Sequence, residues 1–140
     1  MRIVLAADGS KYTKKALAFL VANESLCGPE DELIVVNVQP TIPPRVRSMV
    51  GSDAVTGYHT EEAEKVLGPV RTFLDRKKLT YRCEWKSGEP AAQILAVAKK
   101  TGAQMIVMGT HGYGVLGRAV MGSVATRVLH DATIPVLLVK

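Results

Sequence analysis

The sequence predicts a doubly wound α/β fold, in which helices cover both faces of a parallel sheet of five strands. Three near-continuous apolar runs, IVLAA at 3–7, LIVVNV at 33–38 and MIVMG at 105–109, are typical of strands that are buried on both faces. Segments with the helical period of about 3.6 residues lie between these runs. Because strands and helices alternate in this way, right-handed crossovers between parallel strands are the expected connections.

Two further strands complete the predicted sheet. In TYRCEWK at 80–86, Tyr81, Cys83 and Trp85 alternate with charged side chains, which indicates an edge strand with one buried face. The apolar segment IPVLLVK at 134–140 is the last strand. The predicted order along the chain is therefore β-α-β-α-β-α-β-α-β.

Four helices are predicted from their apolar faces and their ends. A serine is a good N-cap for the first helix, and cations at the end of the second favour a helix C-terminus. Residues 40–58 contain three prolines and two glycines, so they are predicted to form a mobile loop. The predicted helices run from Ser10 to residue 24, from 60 to 78 with a kink at Gly68-Pro69, from Pro90 to Gly102, and from Ser123 onward.

The composition indicates one globular domain over residues 1–140. Hydrophobic residues make up 47% of the chain and charged residues 22%, which excludes a disordered protein. No apolar run is long enough to span a bilayer, and the segment before the first acidic turn is too short for a signal peptide. A cytoplasmic protein without a membrane partner is therefore expected. Cys27 and Cys83 lack metal-binding spacing and are expected to be reduced.

The net charge of +5 favours anionic partners only weakly. Nucleic acid would have to contact Arg45 and Arg47 or the cations at 76–78, and no aromatic side chains interleave these positions. Nucleic acid is therefore not the expected partner.

The segment from 109 to 122, GTHGYGVLGRAVMG, holds five of the twelve glycines and lies between a strand and a helix start. Glycines let the backbone approach an anion closely, and helix N-termini bind phosphate oxygens. Two common motifs do not fit. The dinucleotide fingerprint lacks its later acidic residue, where Leu137 stands, and a P-loop would not have Arg118 and Ala119. The segment is a phosphate site of another type, or a glycine-rich turn that packs closely without a ligand.

A wider spacing does fit: Gly109, two residues, Gly112, nine residues, and then Gly122-Ser123. Together with DGS at 8–10, VVNV and the closing PVLLVK, this GxxG-x9-GS pattern resembles the ATP-binding branch of the universal stress protein family over nearly the whole chain. The resemblance implies a sheet in the order 3-2-1-4-5, similar to the adenine nucleotide alpha hydrolases. It also implies bound ATP, or ADP or AMP in its place, without a P-loop.

The resemblance also implies a role for each part of the site. The glycines of the pattern and Ser123 would hold the triphosphate, Asp8 would lie near the ribose or a magnesium ion, and Val38 would contact adenine through its backbone. With this strand order, the first and fourth strands meet at the switch point, where open α/β sheets bind ligands. Asp8 has an alternative role as a turn residue beside the helix cap. The predicted nucleotide-binding residues are Ala7, Asp8, Val38, Met108, Gly109, His111, Gly112, Gly122, Ser123 and Val124, with Asp8 also the predicted metal ligand.

The predicted function is that of a cytoplasmic, regulatory stress-response protein that binds ATP. No catalytic residue is predicted, because neither an SGGxDS loop nor an HxGH signature occurs, so slow ATP hydrolysis is the most that we expect. The alternative is a universal stress protein that acts without nucleotide, by dimerisation and protein interaction. The apolar last strand, at an edge of the sheet, predicts a homodimer, unless the same chain covers that edge.

Overall fold

A computed structural model describes residues 1–112 and 121–140 of the chain. The elements in chain order are β1 (Arg2–Ala6), α1 (Lys11–Ala22), β2 (Glu32–Gln39), α2 (Pro44–Val50), α3 (Ser52–Leu74), β3 (Thr80–Ser87), α4 (Pro90–Thr101), β4 (Met105–Gly109), α5 (Ser123–Asp131) and β5 (Val136–Val139). The strands are parallel and form one sheet in the order β3-β2-β1-β4-β5. The predicted α/β class and strand order are therefore confirmed.

Apolar side chains of the central strands fill both faces of the sheet. On the face covered by α1 and α3, Ile3, Leu5 and Leu33 are fully buried. On the face covered by α4 and α5, Val4 and Ile34 are fully buried. Because β1 and β2 are buried on both faces, their sequences consist of continuous apolar runs.

The segment predicted as a mobile loop, 40–58, is largely helical, so that prediction is wrong. α2 begins at Pro44, in the first turn, where proline is tolerated, and Gly51 separates it from α3 with a φ of +88°. α3 begins earlier than predicted because Val55 and His59 extend its buried face toward the N-terminus. Pro44 and Gly51 thus mark helix ends, whereas Gly57 lies within α3.

Other boundaries differ from the prediction by a few residues. α1 ends at Ala22, α3 ends at Leu74, and β5 begins at Val136. α3 continues as a helix through Pro69. α4 has its predicted ends, since it begins at a proline and stops before Gly102, whose φ of +66° is the left-handed conformation of a helix C-cap.

α3 is a helix of 23 residues with one apolar face. Charged side chains on its outer face, such as Glu61 and Lys65, make it amphipathic. Within the two described ranges of the chain, no helix is both long enough and apolar enough to cross a membrane.

Candidate functional site

A cavity of about 500 Å³ lies at the carboxyl ends of β1 and β4. These strands are neighbours, and the sheet continues from β1 to β2 on one side and from β4 to β5 on the other. This is the topological switch point, at which open α/β sheets bind ligands. The cavity is therefore where the strand order predicts a site.

The structure brings all ten predicted site residues to this cavity. They are Ala7, Asp8, Val38, Met108, Gly109, His111, Gly112, Gly122, Ser123 and Val124. Their contact with a nucleotide stays a prediction. Thr13 from α1 and Pro90 and Ile94 from α4 also line the cavity and were not predicted. The predicted helix start at Pro90, with Ile94 one turn later on the inward face, is the signal that could have identified two of them. Residues 113–120 of the glycine-rich segment lie outside the described residues.

The first turn of α5 forms part of the cavity wall. Its N-cap is Gly122, whose φ of −61° and ψ of 153° are ordinary for an N-cap and do not require glycine. A Cβ here would lie 3.2 Å from the Thr110 carbonyl oxygen, which accepts a hydrogen bond of 2.8 Å from the Gly122 N–H. Glycine also has no side chain to accept from the N–H groups of Val124 and Ala125. These groups lack intrahelical partners and lie at the positive end of the helix dipole, so they suit an anion.

Two other glycines of the pattern allow close approaches of the backbone. A Cβ on Gly109 would lie 2.4 Å from the Cβ of Tyr12, so β4 can pack against α1 only with glycine here. A Cβ on Gly112 would lie 2.6 Å from Asp8 Oδ2. Close packing thus explains Gly109 with or without a ligand, and the missing side chain of Gly112 lets the Asp8 carboxylate approach the backbone closely.

The Asp8 carboxylate closes the turn that follows β1. Its Oδ1 accepts hydrogen bonds from the Ser10 N–H, at 2.9 Å, and from the Thr13 hydroxyl, at 2.7 Å. The Thr13 hydroxyl accepts in turn from the Asp8 N–H at 3.0 Å. The turn role of Asp8 is therefore present in the structure, and it occupies Oδ1, whereas Oδ2 faces Gly112.

Asp8 was also the predicted metal ligand. Across residues 1–112 and 121–140, no three His, Cys, Asp or Glu side chains are grouped so that they could hold a metal ion. Mg²⁺ prefers octahedral oxygen ligands, keeps several waters and is usually bound by one or two carboxylates together with phosphates. The donor set therefore fits a magnesium ion that arrives with phosphates, rather than a metal held by the protein alone.

Other walls of the cavity are apolar. Val36 and Val38 from β2 and Ile94 from α4 contribute these walls. The end of β1 is held in place beside them, because the Ala7 carbonyl oxygen accepts a hydrogen bond of 2.8 Å from the buried Asn37 amide. The cavity thus combines apolar surface with backbone N–H donors, which suits an apolar ring that carries phosphate.

His111 lines the cavity just after β4. Its Nδ1 lies 2.7 Å from the Thr110 hydroxyl, and its ring centroid lies 5.0 Å from that of Tyr12. The ammonium groups of Lys11 and Lys15 lie 5.3 and 5.6 Å from the centroid of the Tyr12 ring. Neither lysine is among the described residues that line the cavity.

Comparison with known proteins gives the family. The family model described as the universal stress protein family matches residues 1–140. The chain belongs to this family. A universal stress protein of Thermus aquaticus is 34% identical over 140 residues, which cover 99% of this chain and 97% of the relative. A universal stress protein of Methanocaldococcus jannaschii is 33% identical over 141 residues, which cover 99% of this chain and 81% of the relative.

Solved structures of universal stress proteins have the same fold. The structure of a second Methanocaldococcus jannaschii protein, MJ0577, matches with a TM-score of 0.84 and 26% identity, and covers 99% of this chain and 94% of its own. A universal stress protein of Archaeoglobus fulgidus in complex with dAMP matches with a TM-score of 0.71 at 23% identity, over 100% and 98% of the two chains. A family protein of Arabidopsis thaliana with AMP bound matches with a TM-score of 0.70 at 16% identity, over 100% and 91%.

Proposed function

We propose that this universal stress protein binds an adenine nucleotide, with ATP as the first candidate, in the cavity at the ends of β1 and β4. The observation that carries the proposal is the first turn of α5, which begins at a glycine and lines a cavity with apolar walls. The cavity volume lies within the range of roughly 300 to 1,000 Å³ that is typical of small-molecule sites. Bound nucleotide would favour one arrangement of the surrounding loops, which is a regulatory role rather than fast chemistry.

Each part of the nucleotide has a partner in this arrangement. The phosphates would accept hydrogen bonds from backbone N–H groups around Gly112 and Gly122, assisted by the dipole of α5. The adenine ring would pack against Val38 and Ile94, and the backbone of Val38 would supply polar contacts. Asp8 Oδ2 would accept from a ribose hydroxyl or bind a magnesium ion held by the phosphates, because a bare carboxylate would repel the triphosphate.

Two similar structures support the class of ligand. The Archaeoglobus fulgidus protein holds dAMP, and the Arabidopsis thaliana protein holds AMP. The GxxG-x9-GS pattern, which resembles the ATP-binding branch of the family, is the reason for proposing ATP rather than a monophosphate.

Mass analysis of small molecules released from freshly purified protein tests this proposal. We expect an adenine nucleotide in an amount comparable to that of the protein. If the protein is purified empty, calorimetric titration with ATP and with GTP in the presence of magnesium replaces this measurement, and binding of ATP in preference to GTP is expected. No binding of any adenine nucleotide at millimolar concentration would contradict the proposal and favour the nucleotide-independent alternative.

We also propose a homodimer that forms through β5, because the two edges of the sheet differ. At the β3 edge, Arg82 pairs with Glu32 at 3.4 Å and Lys86 with Glu84 at 3.3 Å. The residues of β5 are only valine and leucine. Charged side chains protect an edge strand from pairing with another chain, so β5 is the edge that favours a second copy. The cytoplasmic location stays a prediction.

The backbone of β5 offers a test of the dimer. The Pro135 carbonyl oxygen accepts a hydrogen bond of 2.9 Å from Ile106 of β4, and that of Val139 accepts one of 3.0 Å from Thr110, which directly follows β4. Because backbone direction alternates along a strand, the N–H of Leu138 points away from β4. Leu138→Pro should therefore convert a dimer to a monomer in sedimentation, whereas Leu138→Ala, which keeps the N–H, should remain a dimer. A wild-type protein that sediments as a monomer at micromolar concentration would contradict the dimer.

A further inference from the structure

A second cavity, of about 230 Å³, lies near the carboxyl end of β3, beside α2 and the first turns of α3. Trp85 lines it and pairs with Asn37 in the register of β3 with β2, so its side chain lies on the face covered by α1 and α3. Val38, which lines the first cavity, follows Asn37 and packs on the face covered by α4 and α5. The sheet therefore separates the two cavities.

The polar groups of the second cavity suit an oxyanion. Arg47 contributes a guanidinium group from α2, and Ser52, Thr56 and Ser87 contribute hydroxyls. Ser52 is the first residue of α3, whose N-cap Gly51 has no side chain to occupy the first N–H groups of the helix. No carboxylate is among the described residues that line the cavity. Donors and one positive charge thus border the cavity, and the acid in the first turn of α3, Asp53, does not line it.

The floor of this cavity is aromatic and held in place. His59 is only 3% exposed, and its ring centroid lies 5.7 Å from that of the half-buried Trp85. His59 Nε2 lies 3.0 Å from the Pro40 carbonyl oxygen, and since a carbonyl can only accept, Nε2 donates. The buried Val55 completes the apolar surface. This surface suits a flat apolar group.

We propose that the second cavity is a binding site for a small organic anion, in which a carboxylate or phosphate is attached to a flat apolar group. Arg47 and the hydroxyls bind the oxyanion, and the indole ring of Trp85 packs against the flat group. The second cavity has less than half the volume of the cavity at the ends of β1 and β4, which we call the nucleotide cavity, so its ligand is smaller than a nucleotide. None of the residues that line the second cavity lines the proposed nucleotide site.

The only tryptophan of the chain, Trp85, reports on this site directly. Phenyl phosphate and phenylacetate are suitable probes, because they share the flat group and differ in the anion. We expect a saturable change in tryptophan fluorescence with at least one of them, and the tighter of the two identifies the anion. Inorganic phosphate has the anion without the ring, and benzyl alcohol has the ring without the anion, so each should bind more weakly. Equal binding of inorganic phosphate and phenyl phosphate would contradict the role of the indole ring.

Two arginines of α2 give a matched pair of variants. Arg47→Gln should weaken probe binding by at least about tenfold, because a hydrogen bond to a charged group is lost. Arg45→Gln removes the same charge from a residue that does not line the cavity, and it should leave binding unchanged.

The nucleotide cavity provides the last control. Gly122→Asp, which places a carboxylate in that cavity, should leave the fluorescence titration with the probe unchanged, and Arg47→Gln should leave ATP binding unchanged. No saturable signal from either probe at millimolar concentration, or equal affinities of Arg47→Gln and Arg45→Gln, would overturn the second site without bearing on the first.

Discussion

The helices that follow β1 and β4 begin on either side of the switch point, and they satisfy their first N–H groups differently. At α1, the Ser10 hydroxyl accepts from the Thr13 N–H at 3.4 Å, and the preceding turn is closed by Asp8. At α5, the N-cap is Gly122, which has no side chain. Both caps have similar extended conformations, with φ of −69° at Ser10 and −61° at Gly122, so the backbone does not cause this difference.

The difference indicates where an anion is expected. At a helix start that is capped by its own side chain, one of the first N–H donors is occupied, as the Thr13 N–H is by Ser10, and the cap contributes about 1 kcal/mol to stability. A glycine N-cap leaves the donors for water or for a ligand. Substitutions at α1 should therefore change stability, whereas substitutions at α5 should change nucleotide affinity.

The largest effect is expected when α5 is given a cap of its own. Gly122→Asp places a carboxylate where the phosphates would bind, and the extended conformation of this residue suits an Asp N-cap. Repulsion between charges about 4 Å apart at an effective dielectric of about 20 is worth roughly 4 kcal/mol. Calorimetric titration should show ATP affinity reduced by about 100-fold or more.

Gly122→Ala is the control for this variant. Its Cβ has the same contact of 3.2 Å with the Thr110 carbonyl oxygen but carries no charge. It should lose much less affinity than Gly122→Asp, and thermal unfolding should show both variants folded. Equal affinities for ATP in the two variants would mean that the phosphates do not lie at the start of α5.

The second prediction concerns the metal dependence of binding. Asp8→Asn keeps a side-chain oxygen for the Ser10 N–H but removes the charge beside Gly112. If Asp8 acts through magnesium, ATP titrations of the wild type should differ between magnesium and chelator, and the variant should lose most of that difference. A variant that binds ATP like the wild type in both conditions would leave Asp8 with its turn role alone.

These comparisons also show what the sequence could predict. The strands were recognisable from their continuous apolar runs. The glycine segment was recognisable because it lies between a strand and the start of a helix. Both are local patterns in the sequence. The start of α3 was missed because burial of Val55 and His59 depends on packing against β2 and β3, which local breaker residues do not report. Ile94 was missed as a wall of the cavity because the helical period predicts that it faces inward but does not tell the core from the cavity beside it.

The third prediction tests the other side of the comparison. Ser10→Ala removes the cap of α1 and should lower the free energy of unfolding by about 1 kcal/mol. Chemical denaturation measures this change, and calorimetry should show ATP affinity close to that of the wild type. A large loss of affinity without a loss of stability would place the ligand at α1.

The smallest effect is expected at α4, which is also capped by its own side chain. Glu89 accepts hydrogen bonds from the N–H groups of Ala91 and Ala92 at 3.2 and 2.7 Å. Glu89→Gln keeps a hydrogen-bond acceptor but removes the charge at the helix N-terminus, so the stability loss should be about 0.5 kcal/mol. Denaturation curves should show this loss at low salt and a smaller one at high salt, since salt screens the charge.

Amide spectra of isotopically labelled protein during a titration with ATP test the central claim most directly. The resonances of Ser123, Val124 and Ala125 at the start of α5 should move most, because their N–H groups would donate to the phosphates. The resonance of Thr13, which also lines the cavity but whose N–H is already bound to Ser10, should move less than these. No movement at the start of α5 under saturating ATP, or larger movement at the start of α1, would contradict the claim.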